Sequence, residues 1–155
     1  MKIEIWSDYV CPFCYIGERK LGQALEQLKM TDDVEIIFKS FELDPNAQKQ
    51  YEGDIHQLMA KKYGISIERA IETNNNIVRS AREVGLVFNF DDLKRTNTFD
   101  AHRLSYYAKE KGRLSAFTEA VMRSYFIEAL DISNLETLLD LAVEVGLDRE
   151  KAKGI

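Results

Sequence analysis

The sequence predicts an α/β chain: one βαβ unit followed by a long all-helical segment. Three observations predict it. Residues 2–6 and 34–39 are short, apolar, largely β-branched runs of strand length. Between them, Cys14, Gly17, Leu21, Ala24, Leu25 and Leu28 recur at helical spacing, so strand, helix and strand follow one another with short connections. From Asp54 onward the apolar residues keep a helical period in one segment after another.

In the first unit, Pro12 falls in the first turn of the predicted helix, where its missing N–H would have had no partner. Cys11 is then the N-cap residue and Cys14 lies one turn further in. Thr31-Asp32-Asp33 makes the turn into the second strand. The two strands are expected to be parallel and joined right-handedly, with the cysteines at the C-terminal edge of the first strand. Pro45 biases Asp44 away from helix, so residues 41–45 are extended.

The helical part divides at its caps and glycines. A short helix over residues 54–63 ends at Gly64. Ser66 caps a longer one, stopped by Gly85, with Ile67, Ile71, Val78, Ala81 and Val84 on one face and Asn74 on the same stripe. Residues 86–90 are apolar and read as extended. Asn97-Thr98 offers a cap for a helix through Lys111, and residues 113–128 form another, with Leu114, Phe117, Val121, Tyr125 and Glu128 aligned. Ser133-Asn134-Leu135-Glu136 has the capping-box pattern with Ser133 at the N-cap, opening a helix that stops at Gly146. Asp148 caps one more. Two strands make too small a parallel sheet to stand alone, and the chain ends at Ile155 inside a helix start, so the expectation is that the C-terminal part of the domain is missing.

Composition narrows the function. At 155 residues the chain is long enough for one domain with a sizeable core. A net charge of −5 without a Lys/Arg cluster argues against nucleic acid, and no apolar run is long enough to cross a bilayer. The first residues enter a strand directly, without the basic start and apolar core of a signal peptide, so the expected compartment is the cytoplasm. There, two cysteines three apart point to redox or metal chemistry. Zinc usually takes four ligands, and His56 and His102 stand at unrelated spacings, so no metal is expected.

The cysteine pair carries the chemistry. The first turn of a helix offers free N–H groups and the positive end of the dipole, which favour an anion. A thiolate at Cys11 is expected to be stabilised there and to have a lowered pKa. Cys14, a turn away, is placed to attack a mixed disulfide formed at Cys11 and to release the substrate.

The run Trp6-Ser7-Asp8-Tyr9-Val10-Cys11-Pro12-Phe13-Cys14-Tyr15-Ile16-Gly17, together with Asn97-Thr98 and Ala101-His102-Arg103-Leu104, resembles the DsbA-like thioredoxin superfamily. Within it, the chain is similar to the FrnE-like branch, related to 2-hydroxychromene-2-carboxylate isomerases and kappa-class glutathione transferases. Ala129-Leu130-Asp131-Ile132 and Val145-Gly146-Leu147-Asp148 fit as well. The resemblance implies a thioredoxin-like βαβ unit (residues 1–45) interrupted by an all-α insertion domain (46–147), with 148–155 starting a truncated return to the thioredoxin-like domain. It implies thiol–disulfide exchange with Cys11 as attacking nucleophile and Cys14 as resolving thiol. Two departures stand out. The only prolines, Pro12 and Pro45, precede the insert, so the family's later cis-proline loop has no counterpart, and the acidic strand residue six positions before the nucleophile is replaced by Ile5.

The expected function is therefore a disulfide oxidoreductase acting at a Cys-Pro-Phe-Cys motif on protein or small-molecule thiols and disulfides. Its potential should lie between about −270 and about −120 mV, the range from thioredoxin to DsbA. A glutathione-dependent isomerase or transferase and a non-enzymatic redox-sensing module are the alternatives. Isomerases of this type generally carry serine where Cys11 stands, which speaks against the first. Pro12, Phe13, Trp6 and Asp8 are expected to shape the site, with Asp8 weighed as a proton acceptor for the thiols; Asn74, Asn97 and His102 are the candidates for holding substrate. No tightly bound cofactor is expected, glutathione enters as a redox partner, and a homodimer is one way of completing the cleft.

Overall fold

The computed structural model describes residues 1–155. The chain runs through β1 (Lys2–Ser7), α1 (Pro12–Gln27), a 3-10 turn (Thr31–Asp33), β2 (Glu35–Ser40), α2 (Ile55–Tyr63), α3 (Ile67–Arg82), α4 (Phe99–Glu110), α5 (Leu114–Phe126), α6 (Leu135–Glu144) and α7 (Arg149–Lys153). β1 and β2 pair in parallel, from Lys2 opposite Glu35 to Ser7 opposite Ser40, and form an open two-stranded sheet. This is a thioredoxin-like βαβ core with an inserted all-α subdomain. No helix is long and apolar enough to cross a membrane.

The hydrophobic core lies in the helical part. One cluster of 27 buried residues holds it, and only Tyr9, Tyr15 and Ile16 come from the βαβ unit. Its centre is aromatic. Phe88 and Phe126 stack at 4.7 Å between ring centroids, Tyr15 lies 5.9 Å from Phe88, and Tyr125 meets Phe126 edge-on at 4.8 Å. Such offset and edge contacts add to the burial of large rings. The extended reading of residues 86–90 holds: Leu86, Phe88 and Phe90 are buried in alternation with Val87, and the Asn89 N–H donates to the Phe126 carbonyl at 2.7 Å.

Several faces differ from those the periodicity suggests. On α1, Tyr15, Ile16 and Leu25 are buried, while Gly17, Ala24 and Leu28 are exposed. The face of α1 that meets the aromatic cluster is the buried one, and spacing alone does not show which stripe the insert covers. On α3 the buried stripe is Ala70, Asn74, Ile77 and Ala81, with Ile67 and Ile71 left exposed. The α6 N-cap is Asn134, whose Oδ1 accepts from the N–H groups of Glu136 and Thr137. Ser133 does not cap, because its hydroxyl is committed to Asp131 Oδ1 at 2.7 Å. Ser66 and Asp148 cap as expected, and Asp54, expected as the first residue of its helix, is the N-cap of α2.

α2 differs from its neighbours. It packs chiefly on α3, and Ala60 is its one buried residue. Its ends are self-sufficient, with a capping box between Asp54 and Gln57 and a left-handed Gly64 at φ 64°.

Truncating the aromatic centre tests where stability resides. Phe88→Ala should cost about 3–5 kcal/mol in urea unfolding. Val87→Ala, one residue away on the exposed side, should stay within about 0.5 kcal/mol.

Candidate active site

β1 ends at Ser7, and a tight turn carries the chain into α1. The Cys11 N–H donates to the Asp8 carbonyl at 3.2 Å, and the Cys14 N–H donates to the Cys11 carbonyl at 3.1 Å. Cys11 is the N-cap, in extended conformation at φ −92° and ψ 108°, with Pro12 opening the helix. Both cysteines are free and half-buried.

The two thiols titrate as one system. The N–H groups of Phe13 and Cys14 face the Cys11 sulfur, though no full capping hydrogen bond is closed. A hydrogen bond from the Cys11 thiol, opposed by burial, is the main cause that brings Cys14 down to about 6; the Asp8 N–H and Ser7 hydroxyl assist. That same bond, then burial and the charge on Cys14, pushes Cys11 far above an ordinary thiol. One proton is thus shared between two sulfurs, and the pair loses its first proton easily and its second with difficulty. This corrects the expectation of a lowered Cys11. Once the pair has lost one proton, the Cys11 thiol is the donor and the Cys14 sulfur the acceptor of the bond between them.

Cys11 opens onto a cavity of about 310 Å³ between the βαβ unit and the insert. Its walls are mainly apolar: Val10, Leu43, Ile55, Leu58, Met59, Ile77, Phe90 and Leu93 contribute, with Tyr125 and Phe126. This size is at the lower end for small-molecule pockets. Cys14 does not line the cavity; it packs against the core behind.

Below the turn, Asp8 is 2% and His102 6% exposed. His102 Nε2 donates to Asp8 Oδ1 at 3.1 Å, and the Leu43 N–H donates to Asp8 Oδ2 at 2.7 Å. Burial pushes the Asp8 carboxyl up, but hydrogen bonds from His102, Leu43 and Thr98 together outweigh it and hold the group below the ordinary carboxylate value.

Residues 2–155 match the model of the DSBA-like thioredoxin domain. The chain belongs to the DSBA-like thioredoxin family. It is 37% identical to a probable DsbA oxidoreductase from Streptomyces coelicolor, whose crystal structure it matches with a TM-score of 0.93 over 99% of this chain and 66% of that one. It is also 30% identical over 147 residues to the uncharacterized protein YwbO of Bacillus subtilis (strain 168), covering 94% of this chain and 66% of that relative. A 2-hydroxychromene-2-carboxylate isomerase shares the fold at 15% identity, with a TM-score of 0.68 over 99% of this chain and 70% of the isomerase. The chain thus spans about two thirds of the length of the first two relatives.

Within this DSBA-like domain the residues singled out in the sequence fall into three groups. Cys11, Pro12, Phe13, Asp8 and Asn74 all line the cavity, Phe13 at its mouth with 64% exposure. Asn74, only 3% exposed, is bonded through Nδ2 to His56 Nδ1 at 2.9 Å, which ties α3 to α2 beside the cavity. Trp6 and Asn97 lie outside the cavity. Trp6 is 60% exposed, and Asn97 is spent on structure, donating to the Ala47 carbonyl and accepting from the Phe99 N–H. His102 touches Asp8 instead of the main cavity. Asp8, with both oxygens occupied and its pKa lowered, is no proton acceptor, which replaces the role weighed for it.

Two neighbours of the thiols escape the sequence reading. Ser7, buried and otherwise unpartnered, turns its hydroxyl to Cys14. Glu18, one turn beyond Cys14, has a buried Oε2 without a partner. Burial first, then the Glu119 charge, pushes its carboxyl up to about 7. The i, i+4 spacing from Cys14 was the available signal.

Glu18 makes stability depend on pH. Between its ordinary value of 4.5 and its folded value of about 7, the native state holds more protons than the unfolded one, so stability falls as pH rises and levels off above that window. Glu18→Gln should flatten the fall and leave the variant more stable than the parent at about pH 8, measured by urea unfolding across the range.

Proposed function

We propose that this chain performs dithiol–disulfide exchange at Cys11 and Cys14, on substrates that present a sulfur in the apolar cavity. One observation carries the reading: two free cysteines stand one turn apart at the start of α1, one opening onto the cavity and the other packed behind it. Likeness to a probable DsbA oxidoreductase at 37% identity supports it.

The accessible sulfur attacks. The proton on Cys11 passes along the shared bond to Cys14, and the Cys11 thiolate then forms a bond to one sulfur of a substrate disulfide, expelling the other as a thiolate. Once Cys14 has lost its proton, to Glu18 or water, it attacks Cys11 and expels the remaining substrate thiolate. The pair has given up two electrons and its one remaining proton, and the substrate, taking a second proton from water, has become a dithiol. The same steps reversed oxidise a dithiol. Glu18, with a carboxyl near neutrality in its folded setting and an unpartnered oxygen, suits the proton transfer at Cys14.

The substrates are protein or small-molecule thiols and disulfides, with glutathione as a redox partner. Within the family we assign the chain to the FrnE-like branch, on the block around Trp6-Ser7-Asp8-Tyr9-Val10-Cys11-Pro12-Phe13-Cys14 and the Asn97-Thr98 and Ala101-His102-Arg103 segment. Both cysteines being present favours disulfide exchange over the isomerase alternative.

Two single variants test the roles. Cys11→Ser should abolish reduction of insulin by the protein. Cys14→Ser should accumulate a mixed disulfide at Cys11, read by mass spectrometry. A mixed disulfide trapped on Cys14 in the Cys11→Ser variant, with turnover retained, would reverse the assignment.

A further inference from the structure

The cavity in front of Cys11 is mainly apolar, and most of the buried polar groups in its wall are spent within the fold. Asp8 accepts from His102 and the Leu43 N–H, the Thr96 hydroxyl donates to the Lys49 carbonyl, and the Thr98 hydroxyl turns to Asp8. Two groups are not spent. Asn74 of α3, 3% exposed, makes one side-chain hydrogen bond, from Nδ2 to His56 Nδ1. An amide NH2 only donates, so the neutral His56 ring accepts at Nδ1 and keeps its proton on Nε2, the side of the Asp91 carboxylate 3.9 Å away. Asn74 Oδ1 is left as a free acceptor. Tyr125 of α5, 2% exposed, has a hydroxyl without a hydrogen-bond partner. Neither oxygen is sealed inside the protein, and both residues are otherwise buried, so the cavity they line is where the two oxygens face.

An apolar body filling the cavity would strand both groups, and an unpaired buried polar group costs more than a neutral hydrogen bond returns. Tying α3 to α2 accounts for the Asn74 NH2 group but leaves its oxygen unexplained. Together the two oxygens offer one acceptor and one donor, which is what an amide needs for its N–H and its C=O.

We propose that Asn74 and Tyr125 bind an amide group of the substrate beside the reacting sulfur, Asn74 Oδ1 accepting its N–H and the Tyr125 hydroxyl donating to its carbonyl. This rests on the exchange chemistry proposed above and names its substrate class: N-acylated aminothiols and their disulfides, the unit that every peptide-bound cysteine presents. Leu43, Leu58 and Phe90 give the carbon chain of such a substrate an apolar bed in the same cavity onto which Cys11 opens. A substrate without the N–H leaves Asn74 Oδ1 unpaired, and a site built around a hydrogen bond discriminates strongly against an analogue that lacks it.

The test uses two disulfides that differ only in the group at issue. One is the disulfide of N-acetylcysteamine, an amide; the other is that of 2-acetoxyethanethiol, an ester that keeps the carbonyl and lacks the N–H. Each oxidises the reduced full chain in a single turnover. Each rate constant is divided by that of the same disulfide with dithiothreitol, which removes intrinsic reactivity. The parent should favour the amide by at least about fivefold. Asn74→Leu should bring that ratio to within about twofold of unity, and Tyr125→Phe should slow both disulfides by at least about threefold while keeping the ratio. Equal rates in the parent, or a preference that survives in Asn74→Leu, overturn the role of Asn74. A Tyr125→Phe variant as fast as the parent overturns the role of Tyr125. The S-methyl thioethers of the two thiols cannot exchange, and NMR titration of the parent with them reads binding alone. The Asn74 side-chain NH2 signals should move at lower concentrations of the amide than of the ester; this decides if Asn74→Leu does not fold, and equal affinities overturn the proposal. A parent that reacts with neither disulfide overturns the exchange reading, while thioether binding still decides the amide site.

Discussion

The hydrogen bond from the Cys11 N–H to the Asp8 carbonyl, 3.2 Å long, closes the turn that converts strand into helix. Everything at the site depends on that turn. It stops β1 at Ser7, sets Cys11 in the extended conformation of an N-cap, and lets Pro12 open α1 without losing a backbone hydrogen bond. It also sets the two side chains that flank it: Cys11 opens onto the cavity, and the Asp8 carboxylate accepts from His102 and the Leu43 N–H.

The division of labour between the two parts follows from where the apolar mass lies. The small sheet supplies register and direction but little interior, and the helices supply the interior. Tyr15 and Ile16, on the turn of α1 that follows Cys14, enter the helical core, so the helix carrying the reactive pair is anchored in the insert. Polar contacts complete the junction: the Tyr15 hydroxyl donates to Glu119 Oε1 at 2.8 Å, Arg19 pairs with the same carboxylate, and Arg95 pairs with Asp44. Because the junction is made on both sides of the cysteine turn, a gap lined by both parts is left in front of Cys11.

The sequence discloses local features of this arrangement better than distant ones. Pro12 after Cys11 reveals the N-cap because the constraint is contained within one turn. Ser66 and Asp148 are legible for the same reason. Asn134 takes the cap that the spacing assigns to Ser133, since the Ser133 hydroxyl is drawn to Asp131, a competition the capping pattern does not encode. The helical stripes of α1 and α3 are correct in period and right only in part: Leu25, Asn74, Ala81 and Val84 are buried as the spacing places them. Gly17, Leu28, Ile67 and Ile71 are exposed, because the position of the insert decides which side chains are covered. The Asp8–His102 and Asn74–His56 contacts join separate elements. No spacing rule reaches across such separations, and both had to come from the fold.

The cavity has one wall unlike the others. Ile55, Leu58, Met59 and Tyr63 of α2 line it, yet α2 leans chiefly on α3 and supplies none of the aromatic centre. Its end groups are satisfied by its own caps, not by the rest of the molecule. Displacing it leaves the stacked rings of Phe88 and Phe126 intact, so among the helices bordering Cys11 it has the smallest share of core packing to give up. The room beside the sulfur therefore has one side held by the aromatic centre and one side, α2, held by few buried contacts.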